Sequence, residues 1–352
     1  MTNKNIYNFF LFMSTLTRSL VEVFSVILLY DKGYSINNIF LFLLVMYLSG
    51  IVVNYLSLKI NYKIVLIISI LLYGGSYLYL SIMGNSVFNL ILFGIILSIS
   101  SYSYHAIRHY LALNMVSYDK GKNINIILVV MYIATMISNL VGVVLIDKLS
   151  IMGTSMVIIV LSFISIVPIL RLDNIKNKKN RLRDVDIGFN KVMFSVLEQF
   201  KVILMEIQPL YIYLYVKNSM YYVSIFNVII SLASLLFMLF LSKRVKNKYF
   251  RYFNLVLGGI LIFKLNISNS IVLLFIAFLE GIGIKLYERF SLDNLYNKGD
   301  NEPNNYLIVE EMIFFSSKSF IMFVFYMLSL DIKVILYICI IGIVASGFYI
   351  SN

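Results

Sequence analysis

The sequence contains no tryptophan, one cysteine, two histidines and three prolines. Charge is scarce too: 13% of the 352 residues are charged, 17 acidic against 29 basic. Each shortage excludes something. A single thiol, Cys339, cannot close an intramolecular disulfide, which removes the secreted disulfide scaffolds. One Cys and two His cannot supply an ordinary structural zinc site. A soluble domain carries about 25% charged and about 45–50% apolar residues. Here 61% are apolar, so a soluble fold would lack a polar coat and lipid must be the solvent. The net charge of +12 then reflects the bias of cytoplasmic loops toward Lys and Arg rather than nucleic-acid binding. No Walker A, HExxH, CxxC or GxSxG pattern occurs, and no cofactor or bound metal is implied.

What is present is a series of continuous apolar runs. A helix needs about 20 apolar residues to cross a bilayer. Cutting at the polar clusters predicts spans near 6–30, 37–58, 63–83, 87–113, 124–146, 151–170, 193–216, 221–242, 250–267, 270–293, 305–329 and 332–350. Continuous rather than alternating apolarity favours helices over a barrel. The first run is long and has no small-residue cleavage site, so it reads as a permanent span. The expected architecture is an all-α integral membrane protein of twelve transmembrane helices in two pseudo-repeated six-helix bundles. Residues 1–170 form the first bundle, 171–192 a basic cytoplasmic linker, and 193–352 the second bundle.

The basic residues test this alternation. With the N-terminus inside, the inner segments hold Lys4, Lys59, Lys63, Lys120, Lys122, Arg171, Lys176, Lys178, Lys179, Arg181, Arg183, Lys191, Lys243, Arg244, Lys246, Lys248, Arg251 and Lys298. The outer segments hold only Lys32, Lys148, Lys217 and Lys333. That bias predicts both termini in the cytoplasm. The halves also echo one another. ILLYDKGYS (27–35) follows the first span and IYLYVKNSM (212–220) the seventh; HAIRHYLALN (105–114) and KLYERFSLDN (285–294) sit in the fourth and tenth.

Twelve spans, a six-plus-six division and a basic central loop resemble the major facilitator superfamily. The loop after the second span reads NYLSLKINYKIVL (54–66). Against the superfamily motif, Leu56, Lys59 and Lys63 fit; Asn54 and Asn61 stand where glycines are usual, and Leu58 replaces the acid. The second copy, FLSKRVKNKYF (240–250), is basic and also lacks the acid, while SNLVGVVL (138–145) is a faint version of the glycine-rich fifth span. The resemblance implies a secondary transporter in which spans 1, 4, 7 and 10 line a central cavity.

Charge within spans is costly and marks cavities or partners, at about 2.5–3.5 kcal/mol per group on insertion scales. Arg18 and Glu22 are four apart on a helix, so they share a face and can pair. His105, Arg108 and His109 form one stripe, and Glu206 precedes Pro209. Glu280 lies in LEGIGIK, with Lys285, Glu288 and Arg289 at helical spacings after it. Glu310, Glu311 and Lys318 lie in the eleventh span, with at least one of the two acids expected exposed near its inner end. Glu198 and Lys201 open the seventh span at the interface.

These patterns predict proton coupling at Glu22, Glu206 and Glu280. They predict substrate contacts at Arg18, His105, Arg108, Lys285 and Lys318, and gating at Lys59, Lys63, Glu288, Arg289 and Glu310. The expected partners are a small polar or charged solute, protons and membrane lipids, with no nucleic acid, and the expected state is a monomer in a bacterial plasma membrane. Three other readings stay open. They are a drug or lipid efflux pump of the same fold, a membrane-embedded glycan or lipid transferase, and a non-transporting partner protein. Short outer loops disfavour the transferase.

Overall fold

The computed structural model describes residues 3–115, 120–172, 189–240, 249–298 and 303–349. The greater part of the basic linker, the loop after Phe240 and the side chain of Arg289 lie outside the described residues. Those described are almost wholly helical. In lipid this is forced, because a helix satisfies its own backbone groups where water cannot. Eight helical stretches are long and apolar enough to cross a membrane. The surface carries bulky apolar side chains such as Phe163, Ile271 and Ile341, so the chain is a multi-pass membrane protein.

The first expected span is broken. Helix α1 runs Asn3–Ser19, a 3-10 turn covers Glu22–Phe24, and α2 runs Ser25–Asp31. Three contacts support the break. Tyr73 donates to the freed carbonyl of Arg18 at 2.6 Å. Ser138 donates to the carbonyl of Leu16 at 2.8 Å. Gly142 lies so close that a Cβ there would stand 1.9 Å from the carbonyl oxygen of Leu20. Only a glycine lets the backbones approach this far.

After the break come α3 (Ile36–Ser57), α4 (Tyr62–Ile82) and α5 (Val87–Met115). Side chains cap two of them: Ser35 accepts from the Asn38 amide at 3.2 Å, and Asn61 from the Lys63 amide at 2.9 Å. Gly33, at φ 89°, turns the chain between α2 and α3.

Helix α6 (Lys120–Arg171) would measure about 78 Å if straight, against a bilayer core of about 30 Å. It is not straight. Ser150 has φ 61° and ψ 178°, a conformation rare outside glycine, and divides the helix. The chain doubles back there. Ser138 lies beside Leu16, and Ser165, on the far side of Ser150, lies 3.5 Å from Thr17. The fifth and sixth expected spans are these two arms.

The second half comprises α7 (Phe189–Tyr215), α8 (Met220–Phe240), α9 (Phe250–Leu265), α10 (Ser270–Lys298), α11 (Pro303–Leu328) and α12 (Ile332–Ser346). The halves meet along two seams, α3 against α11 and α6 against α8. In the first seam the Tyr102 and Phe315 rings meet edge to face at 4.3 Å, over Gly50. In the second, Ser224 donates to the carbonyl of Asn139 at 2.7 Å. The main apolar core runs through both halves. Polar side chains also tie the halves together at one end, where Tyr213 donates to Asp31 at 3.1 Å and Tyr221 to Asp147 at 3.1 Å.

Candidate functional site

Between the seams lies a cavity of about 420 Å³. Its wall includes the break in the first span, parts of α3 to α6, and parts of α7, α8 and α10. Both halves therefore contribute. Of the sequence-predicted residues, Arg18, Glu22, His105, Arg108, Glu206 and Glu288 reach this wall.

Arg18 does not pair with Glu22, contrary to the expectation from their spacing. That pairing needs an unbroken helix, and α1 stops at Ser19. The Arg18 guanidinium instead donates to Ser101 Oγ at 2.7 Å and to the Ser100 carbonyl at 3.5 Å. It lies 4.2 Å from the centre of the Tyr73 ring and 4.6 Å from that of Tyr104. Two aromatic faces and two oxygens compensate the charge, and the residue is only 4% exposed. Glu22 is the reverse case. It is exposed to the cavity and has no hydrogen bond or ion pair among the described residues.

Glu206 accepts a hydrogen bond from Tyr47, which joins α7 of one half to α3 of the other. Three residues later Pro209 withholds a donor from the Met205 carbonyl, and both residues line the cavity. Lys318 lies behind this bond, 5.4 Å from the Tyr47 ring and 4.9 Å from that of Phe315, and is buried. It is within electrostatic reach of Glu206 and Glu311.

On α5, Arg108 approaches His109 Nε2 at 3.4 Å and Met131 Sδ at 3.9 Å, while His105 stands edge-on to Tyr104. On α10, Lys285 donates to Glu288 at 3.1 Å and to Tyr132 at 3.2 Å, and Tyr132 donates to Glu288 at 2.7 Å. The helical spacing of Lys285 and Glu288 thus gives an ion pair, with a tyrosine of α6 added. Lys285 itself is off the cavity wall.

Glu280 is also off the wall. It is fully buried against Lys264, whose ammonium donates to both carboxylate oxygens at 2.9 and 3.0 Å and to Gln208 at 2.8 Å. This triad joins α7, α9 and α10. Glu310 and Glu311 are both buried, so neither has the exposed position expected. Glu198 and Lys201 are buried as well, 3.9 Å apart, where an interfacial position was expected. Lys59 is exposed and donates to Tyr55 at one edge of the bundle, and Lys63 opens α4 nearby.

Sequence reasoning missed Lys264, Gln208, Tyr47, Tyr73, Tyr132 and Asn139. Asn139 lines the cavity with both amide atoms buried and unpaired among the described residues, as is the Tyr102 hydroxyl. Its place in SNLVGVVL, three residues before Gly142, was the signal available. No group of three His, Cys, Asp or Glu that could hold a metal ion occurs among the described residues.

No protein-family model and no curated protein sequence matches the chain. Solved structures do. One is a bacterial homologue of the iron transporter ferroportin in an outward-facing state: TM-score 0.69, 11% identity, covering 99% of this chain and 98% of the other. Another is the nucleoside transporter NupG: TM-score 0.69, 15% identity, with the same coverages. The chain therefore shares the fold of these two transporter structures, which agrees with its sequence resemblance. At these identities the likeness concerns the fold alone.

Proposed function

We propose that the chain is a secondary active transporter, rather than an enzyme, that moves a small polar or charged solute by alternating access coupled to protons. In this reading twelve crossings form two six-span halves, 1–170 and 193–352, joined by the cytoplasmic linker 171–192, with both termini cytoplasmic. The observation that carries it is the cavity: charged side chains from both halves converge on one space between them. A carboxylate inside a membrane bundle is held there at a cost that function repays.

Glu22 and Glu206 are the proton sites in this proposal, and Glu280 supports α7 through Lys264. Arg108 and His105 hold a polar group of the solute, while Lys318 keeps Glu206 in a positive field. The Lys285–Glu288–Tyr132 cluster joins the halves and is the inner gate, and Lys59, Lys63, Arg289 and Glu310 are further gating candidates. The Tyr213–Asp31 and Tyr221–Asp147 bonds form the outer gate. Of the similar structures, one is a homologue of an iron transporter and another a nucleoside transporter. Neither cargo is assumed here.

Proteoliposomes with a trapped pH dye test the proposal. Adding solutes from a metabolite panel is expected to change lumenal pH for at least one of them, and the Glu22→Gln, Glu206→Gln double variant is expected to abolish the change. Solute-driven proton movement that survives in the double variant would remove the site assignment.

A further inference from the structure

Glu22 is the one carboxylate on the cavity wall, among the described residues, with neither a hydrogen bond nor an ion pair. Its natural partner, Arg18, is separated from it by the helix break and is occupied by Ser100, Ser101 and two tyrosine rings. Tyr73, Tyr77 and Tyr102 lie within electrostatic reach of Glu22 and bring no positive charge. A second carboxylate, Glu206, is also within reach and is held by a neutral hydroxyl. The half-buried cation on α5, Arg108, lies seven residues beyond Ser101, about 10 Å along the helix. The Glu22 carboxylate is therefore left without a direct counter-charge on this wall.

Apolar side chains also line this space. Val23, Met46 and Met205 line it, and the 3-10 turn that carries Glu22 packs against α7. Methionine side chains adapt to irregular apolar bodies. A bare metal ion finds no set of three ligands among the described residues, whereas a cation bearing its own apolar body matches both the charge and the wall. The Tyr102 hydroxyl and the Asn139 carboxamide, buried and unpaired on the same wall, are available to such a ligand's hydrogen-bonding groups.

We infer that the cavity takes an organic cation, with its positively charged nitrogen on the Glu22 carboxylate and its apolar body against Val23, Met46 and Met205. The inference rests on the transport reading of the same cavity and names the class of its cargo. Proton and ammonium then compete for one carboxylate, so their exchange is the natural coupling.

The test is a melting screen of the purified full chain in detergent, read by a thiol-reactive dye on the buried Cys339. The probes are matched pairs such as tyramine with 4-hydroxyphenylacetate and phenethylamine with 3-phenylpropionate, together with choline and tetraethylammonium. At least one cation is expected to raise the midpoint while no carboxylate does. Glu22→Gln is expected to weaken that cation at least tenfold with the ligand-free midpoint unchanged, and Glu22→Asp to restore part of it. Stabilisation by the carboxylates, by both members of a pair equally, or by no cation at all overturns the inference. So does a cation whose affinity is unchanged in Glu22→Gln. Spin-label distances across the Asp31–Tyr213 end separate the two levels. If the halves move but no cation binds, the cargo class falls and transport stands. If a cation binds at Glu22 but the halves never move, the class stands and transport falls.

Discussion

Tyr73 holds Arg18 twice: its hydroxyl donates to the Arg18 carbonyl at 2.6 Å, and its ring lies 4.2 Å beneath the Arg18 guanidinium. The carbonyl lacks its helical partner because the helix stops one residue later, and the Val21 amide reaches it only at 3.5 Å. The guanidinium is turned away from Glu22 for the same reason. One side chain of α4 thus stabilises both the break in the first span and the separation of its two charges.

Tyr73→Phe keeps the ring and removes the hydroxyl, leaving the Arg18 carbonyl with only the long 3.5 Å contact from the Val21 amide. It is expected to cost about 0.5–1.5 kcal/mol, the net value of one hydrogen bond. Tyr73→Ala removes the ring as well and costs more. Thermal midpoints followed at Cys339 check the order, and equal midpoints for Tyr73→Phe and the parent would show that the hydroxyl contributes nothing.

Gly142 and Gly259 form a controlled comparison. A Cβ at Gly142 meets the Leu20 carbonyl oxygen at 1.9 Å, whereas one at Gly259 meets nothing within 4 Å. Gly142→Ala is expected to destabilise by about 1–3 kcal/mol through overpacking. Gly259→Ala is expected to be neutral or to stabilise by up to about 1 kcal/mol, the helix-propensity gain. The same midpoint assay reads both.

The Lys264–Glu280 pair has no water to fall back on. Lys264→Met leaves Glu280 buried and unpaired, and removing one partner of such a pair costs about 3–5 kcal/mol. Exchanging the two residues, Lys264→Glu with Glu280→Lys, is expected to recover part of that loss. Midpoints that simply add for the single and exchanged variants would contradict direct coupling.

Amine binding at Glu22 is expected to strengthen as pH rises, because only the ionised carboxylate attracts a cation. The charged and titratable groups within electrostatic reach of it are Glu206, Tyr73, Tyr77 and Tyr102, with Arg18 beside the same tyrosines. Titrating tyramine affinity against pH checks the sign, and tighter binding at low pH would contradict it.

Much of the fold was legible because the bilayer imposes one pattern: apolar runs of helical length, punctuated by polar clusters. The turn at Ser150 was expected from the cluster at Asp147–Lys148. The break at Ser19–Phe24 was not, since Ser19, Leu20 and Val21 show no local breaker. Its cause lies more than a hundred residues away, at Ser138 and Gly142. The Arg18–Glu22 pairing failed with it, because a four-residue spacing brings side chains together only on an intact helix. Lys264 was hidden among many lysines, and its partner Glu280 lies 16 residues on, across a turn. Spacing arguments reach about two helical turns; these contacts lie beyond them.

The central claim is that the cavity opens alternately at its two ends, so the end tied by Asp31 and Tyr213 must separate. Spin labels at Tyr30→Cys and Lys217→Cys, in a Cys339→Ser background, measure this by pulsed electron paramagnetic resonance in lipid nanodiscs. The account predicts two distance populations, the shorter matching the closed end, with proportions that change with pH and with added cation. One narrow population, unchanged under every condition, would contradict it.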